Sequence, residues 1–103
     1  MTIYISGKIT GIEDTAHQLF QDAKDFLTRV KGHRVVNPLK LEHNHDKSWH
    51  SYLREDIKAL CDCDAIYMLD NWTDSKGAII EHTIAIYIGI KVIYQSQTVS
   101  ATV

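Results

Sequence analysis

The sequence predicts an α/β fold, a mostly parallel sheet with helices on both faces. Three observations point there. Short β-rich runs alternate with longer stretches of helical periodicity, the order from which parallel sheets are built. The run Ala65-Ile66-Tyr67-Met68-Leu69 is apolar without a break, as in a strand covered on both faces. The chain has 103 residues, of which 45% are hydrophobic. That is enough to bury a core without disulfides or metals, so a single domain over 1–103 is expected.

Each element has its own signal. Ile3-Tyr4-Ile5 is β-rich and opens the fold. Ser6-Gly7-Lys8-Ile9-Thr10-Gly11 breaks the pattern with two glycines, and Asp14 or Thr15 is placed to cap a helix. Ala16, Leu19, Phe20, Ala23, Phe26, Leu27 and Val30 then recur at three- and four-residue steps, a helical stripe that Gly32 ends. Arg34-Val35-Val36 reads as a second strand, stopped by Asn37-Pro38, and the His-rich stretch after it reads as a loop. A second helix is expected from about Ser48 to Cys61, with Trp49, Tyr52, Leu53, Ile57 and Leu60 as its buried stripe. The third strand is the Ala65–Leu69 run, and Asp70 to Gly77 is a loop. A third helix, from about Gly77 to Ile88, is apolar nearly all round, which places it in a core or at an interface. Gly89 stops it, Val92-Ile93-Tyr94 is the last strand, and Gln95 to Val103 is a tail or a short edge strand.

Bulk properties exclude several functions. The formal net charge is -2, so there is no basic excess to neutralise a nucleic-acid polymer. Cys61 and Cys63 are too close for an ordinary disulfide. The first residues enter a strand with no charged leader, and the longest apolar stretch, around Ile84 to Ile90, is too short to span a bilayer. A cytoplasmic protein without a membrane partner is the expectation.

Ligands of open α/β sheets bind beyond the carboxyl ends of the strands, where three loops converge: Ser6 to Gly11, Asn37 onward, and Asp70 to Gly77. Two acids stand out nearby. Asp56 falls on the apolar stripe of the second helix, beside Tyr52, Leu53 and Leu60. It is either a buried carboxylate that needs a partner, or an acid at the stripe edge reaching solvent or backbone. Glu81 shares a face of the third helix with Ala78, Ile84, Ala85 and Ile88. It is either a site residue near the positive end of the helix dipole, or half of an ion pair with Lys76 or Arg54. Two such carboxylates can cleave a glycosidic bond, one as nucleophile and one as acid. Gly7 to Gly11 and the Ser75-Lys76-Gly77 segment could each present N–H groups to an anion, with Ser75 also a natural N-cap.

Weaker signals resolve toward plain structure. His43, His45, Asp46 and His50 match no standard zinc spacing, so a solvated loop is expected and no metal. Cys61-Asp62-Cys63 lacks partner cysteines. Trp72 could stack on a base or pack at an interface, and His82 points about 100° away from Glu81 on a helix.

Three segments together resemble the nucleoside 2-deoxyribosyltransferase superfamily, above all its small members such as the 2'-deoxynucleoside 5'-monophosphate N-glycosidases. They are Ile3 to Gly11, Asp56 to Ile66, and Trp72 to Glu81 followed by Ala85 and Gly89. The resemblance implies a Rossmann-like or flavodoxin-like three-layer sandwich with a four- or five-stranded mainly parallel sheet. It implies cleavage or transfer at the N-glycosidic bond of a small nucleoside or nucleotide, with no cofactor. Glu81 matches the nucleophile and Asp56 the acid that helps the base leave. Tyr4 and Gly7 match the loop that holds sugar and base. Ser75 and Gly77 match the loop that binds a 5'-phosphate. The glycosidases carry an arginine where this chain has Thr10 and a serine where it has Lys8, and Lys8 could itself meet a phosphate. The resemblance further implies a homodimer or larger homo-oligomer, whose sites a neighbouring subunit's C-terminal region often completes.

Overall fold

The computed structural model describes residues 1–43 and 45–97. Four strands, β1 (Thr2–Ser6), β2 (Arg34–Val36), β3 (Ala65–Met68) and β4 (Lys91–Tyr94), form one sheet in the order β2-β1-β3-β4. Every pairing is parallel. Three helices, α1 (Glu13–Asp25), α2 (Trp49–Cys61) and α3 (Lys76–Tyr87), connect them. The α/β sandwich expected from the sequence is therefore present, with a four-stranded sheet.

Strand alternation sorts the core into two layers. Ile3 and Ile5 of β1 pack with Ala65 and Tyr67 of β3 against Ala16, Phe20 and Ala23 of α1. Tyr4 points to the opposite face and packs with Ile66 and Met68 against Leu60 of α2 and Ala78 and Ala85 of α3. Each buried Ile, Leu, Met or Phe side chain among them is worth about 1.5–3 kcal/mol, so these two apolar layers dominate the fold. The same period of two puts Ser6 on the face of Tyr4, so both side chains look toward α3.

Several local expectations need correction. Neither Asp14 nor Thr15 caps α1. The N-cap is Ile12, which makes no side-chain capping bond, and the carboxylate of Glu13 instead reaches back to accept from the Gly11 N–H at 2.7 Å. The stripe does not continue as one α-helix to Val30, because Phe26–Val30 forms π-helical turns. Those wider turns accompany an exposed Val30. The loop after β2 holds a short 3-10 turn, Pro38–Lys40, capped by the Asn37 side chain. On α2, only Leu60 is buried, while Trp49 and Tyr52 are exposed, because they face a cavity rather than the sheet. Helix α3 buries Ala78, Glu81 and Ala85 and leaves Ile79, Ile86 and Tyr87 exposed. Residues 95–97 are helical rather than an edge strand, and the remainder of the expected tail, 98–103, lies outside the described residues. No helix among the described residues is long and apolar enough to cross a membrane.

Candidate active site

Chain order reverses between β1 and β3, since β2 lies on one side of β1 and β3-β4 on the other. This is the switch point at which open α/β sheets form a crevice. A cavity of about 470 Å³ opens there, between the β1 and β2 loops and the helices α2 and α3. Its wall includes Gly7, Leu39, Tyr52, Asp56, Gly77 and Glu81. Gly7 permits the close turn after β1, because a Cβ there would lie 2.7 Å from Leu69 Cδ1.

Glu81 is 6% exposed and fully engaged by β1. The Tyr4 hydroxyl donates to Oε2 at 2.6 Å, and the Ser6 hydroxyl donates to Oε1 at 2.8 Å. No ion pair with Lys76 or Arg54 is present among the described residues. Burial raises the carboxyl and outweighs the two hydroxyl bonds, which favour the charged form, so that it stands at about 7. Tyr4 is itself held well above its usual range by burial and by the Glu81 charge, so it remains a phenol and a donor.

Asp56 faces the same cavity from α2. Its side chain is 16% exposed, and its Oδ1 is buried with no hydrogen-bond partner among the described residues. The nearest cation-capable group is His43 Nε2, at 4.0 Å. Burial first, then the charges of Glu81 and Glu55, push this carboxyl up to about 8. Asp56 is thus not freely solvated, and its Oδ1 finds neither a backbone nor a side-chain donor among the described residues.

Two acids with unequal surroundings are a recognised route to dividing chemical roles. Glu81, with two donors aimed at it, is the better carboxylate. Asp56, without donors at Oδ1, is the better neutral acid.

The other sequence-derived candidates separate clearly. Tyr4, Gly7, Ser75 and Gly77 all reach the site, Tyr4 through Glu81 and the others at the cavity wall. Ser75 also caps α3, its hydroxyl accepting from the Ala78 N–H. Lys8 does not line the cavity, and its backbone N–H is taken by Asn71 Oδ1 at 2.9 Å. With the Gly11 N–H bound to Glu13, two of the loop's donors are spent, which weakens that loop as an anion cradle. Trp72 stacks on His82 at 4.2 Å rather than lining the cavity, and His82 Nε2 lies 2.7 Å from the Tyr94 hydroxyl. The aromatic walls are Trp49 and Tyr52 instead. Glu13, His17 and His43 also line the cavity. Glu13 and His17 come from the first turns of α1, off its apolar stripe, and His43, expected in a solvated loop, has a side chain only 11% exposed, so sequence periodicity marked none of the three. No group of three or more metal-ligating side chains is assembled among the described residues.

A family model described as a domain of unknown function, DUF4406, matches residues 1–94. No curated protein matches the chain. Among solved structures, the chain is similar to the 2-deoxyribosyltransferase of the psychrotolerant bacterium Bacillus psychrosaccharolyticus, which is described as a biocatalyst for nucleoside synthesis. Identity is 22% and the TM-score 0.67, over 91% of this chain and 71% of that one. It is also similar to a 2-deoxyribosyltransferase from Leishmania mexicana, at 20% identity and a TM-score of 0.68. That match covers 90% of this chain and 62% of the other, so the chain spans under two thirds of the Leishmania protein. These likenesses show a shared fold.

Proposed function

The chain belongs to the DUF4406 family, and we propose that it breaks the N-glycosidic bond of a small 2'-deoxynucleoside, with Glu81 as nucleophile and Asp56 as acid. The observation that carries this reading is one carboxylate held by two hydroxyls beside a second, donor-poor carboxyl in the same cavity.

The surroundings of the two acids suggest the steps. Tyr4 and Ser6 each occupy one Glu81 oxygen and leave lone pairs for attack on C1'. The sugar carbon becomes oxocarbenium-like as the base departs, and the adjacent carboxylate stabilises that charge. Asp56 gives its proton to the leaving base. Water or a second base then attacks C1', freeing Glu81, and Asp56 takes back a proton. The working state needs Glu81 ionised and Asp56 protonated, which the values of about 7 and about 8 allow in a narrow neutral window.

Charge favours a nucleoside over a monophosphate. Glu13 and Glu81 contribute negative charge to the cavity, and no lysine or arginine lines it among the described residues. The N-terminus of α3 offers only about half a positive charge in return. The cavity volume lies within the range that small-molecule sites occupy.

The test is incubation with a panel of 2'-deoxynucleosides and their 5'-monophosphates, with free base measured. Base release from nucleosides is expected, and adding a second base as acceptor separates transfer from hydrolysis. Measurable binding without any release would mark a nucleoside-binding module that keeps the pocket without the chemistry.

A further inference from the structure

The hydrogen-bond pattern of the His-rich loop fixes the protons on two imidazoles. The Lys47 backbone N–H donates to His45 Nδ1 at 3.0 Å. A nitrogen that accepts carries no proton, so the proton of neutral His45 is on Nε2. His45 Nε2 lies 2.9 Å from His43 Nδ1 and donates to it. His43 Nδ1 is then an acceptor, and the proton of His43 is on Nε2. That nitrogen lies 4.0 Å from the unpartnered Oδ1 of Asp56.

The loop is built to hold this order. The Tyr52 ring makes T-shaped contacts with both imidazoles, at 4.7 and 4.6 Å between centroids. Lys47 adopts φ 64, a left-handed conformation that a non-glycine residue keeps only when its surroundings hold it. Its Nζ donates to the His43 carbonyl, closing the loop on itself. His43 lines the cavity, whereas His45 does not.

We propose that His43 is a positioning residue for Asp56, its Nε2–H engaging Oδ1 so that the transferable proton sits on Oδ2. This rests on the reading of Asp56 as the acid. The separation is about 1 Å longer than a hydrogen bond, and such contacts commonly tighten when a site fills. As Asp56 loses its proton to the leaving base, the His43 N–H becomes a charge-assisted donor to the new carboxylate. No proton leaves His43. A second proton on His43 Nδ1 would face the His45 N–H and break the pair, so His43 works as a neutral donor.

The test reads three things. Long-range 15N–1H NMR should show His43 and His45 both as Nε2–H tautomers, and a proton on His43 Nδ1 would overturn the proposal. Carboxyl 13C titration should place Asp56 higher in His43→Leu than in the unsubstituted protein, by about half to one pH unit, since a donor to the charged form has been lost. The groups facing Asp56 in this titration are Tyr4 and Glu81 across the cavity and Glu55 on α2, while His45 and Tyr52 face His43. An unmoved Asp56 would overturn the proposal. In turnover, His43→Leu should lose about tenfold. The basic limb of the pH profile should move upward, and His43→Gln, which keeps a donor, should recover most of the loss. A loss without limb movement or rescue would assign His43 to packing alone and overturn the proposal. If His43→Leu fails to fold, His45→Leu replaces it, with mixed His43 tautomers and a smaller upward move of Asp56 expected. The NMR readouts need no turnover, so failure of the glycosidase reading stays distinguishable from failure of this one.

Discussion

Glu81 and Asp56 sit in one cavity, but β1 and the His-rich loop treat them differently. The β1 side supplies two rigid hydroxyl donors from successive same-face positions of a buried strand, both already at bonding distance from Glu81. The loop side brings one imidazole to 4.0 Å from Asp56 and leaves an oxygen unpaired. A carboxyl surrounded by donors is prepared to be an anion. A buried carboxyl without them is prepared to keep its proton. The contrast supports the proposed division of roles, and it can be broken from either side.

Removing the proposed nucleophile should have the largest effect. Glu81→Gln should lower base release by about 10³-fold or more, with nucleoside binding kept, as read by single-turnover kinetics and calorimetry. Asp56→Asn should cost about 10²-fold, and less on substrates whose base leaves without protonation. Tyr4→Phe should cost about tenfold, and its acidic limb should move up because a donor to the Glu81 carboxylate is gone. The smallest effect is on stability. Both acids have folded values above their ordinary values of 3.8 and 4.5. The folded state therefore holds protons that the unfolded state releases, so this contribution is full below about pH 4 and is lost as pH rises through about 7 to 8. Asp56→Asn should raise the urea midpoint at about pH 9, by about 1–3 kcal/mol of unfolding free energy, and have little effect at about pH 4.

The sequence made the Glu81 side of this contrast easier to read than the Asp56 side. The resemblance marks Tyr4 as a site residue, whereas Ser6 reads as the start of the glycine loop; it ends β1 instead, where the period of two puts it on the face of Tyr4. Helical periodicity exposed Asp56 and Glu81 as acids among apolar neighbours. The parallel sheet was expected from the alternation of elements, and β2 was legible to the residue. The surroundings of Asp56 were not legible, because His43 arrives from a loop whose path depends on a left-handed residue and on side-chain bonds that no period encodes. Trp49 and Tyr52 were misassigned to a buried stripe for a related reason. A helix face that lines a cavity has the same apolar pattern as one that packs on a sheet. Lys8 drew notice for its charge, but the turn after Gly7 commits its N–H to Asn71 and leaves it off the cavity wall.

The central claim is that Glu81 forms a bond to the sugar. The direct measurement is intact-protein and peptide mass spectrometry after rapid acid quench, with a 2'-deoxynucleoside as substrate. A mass gain of one deoxyribosyl group on the peptide containing Glu81, absent in Glu81→Gln and longer-lived in Asp56→Asn, is the expected result. Base release with no adduct on Glu81, or an adduct that persists in Glu81→Gln, would contradict it.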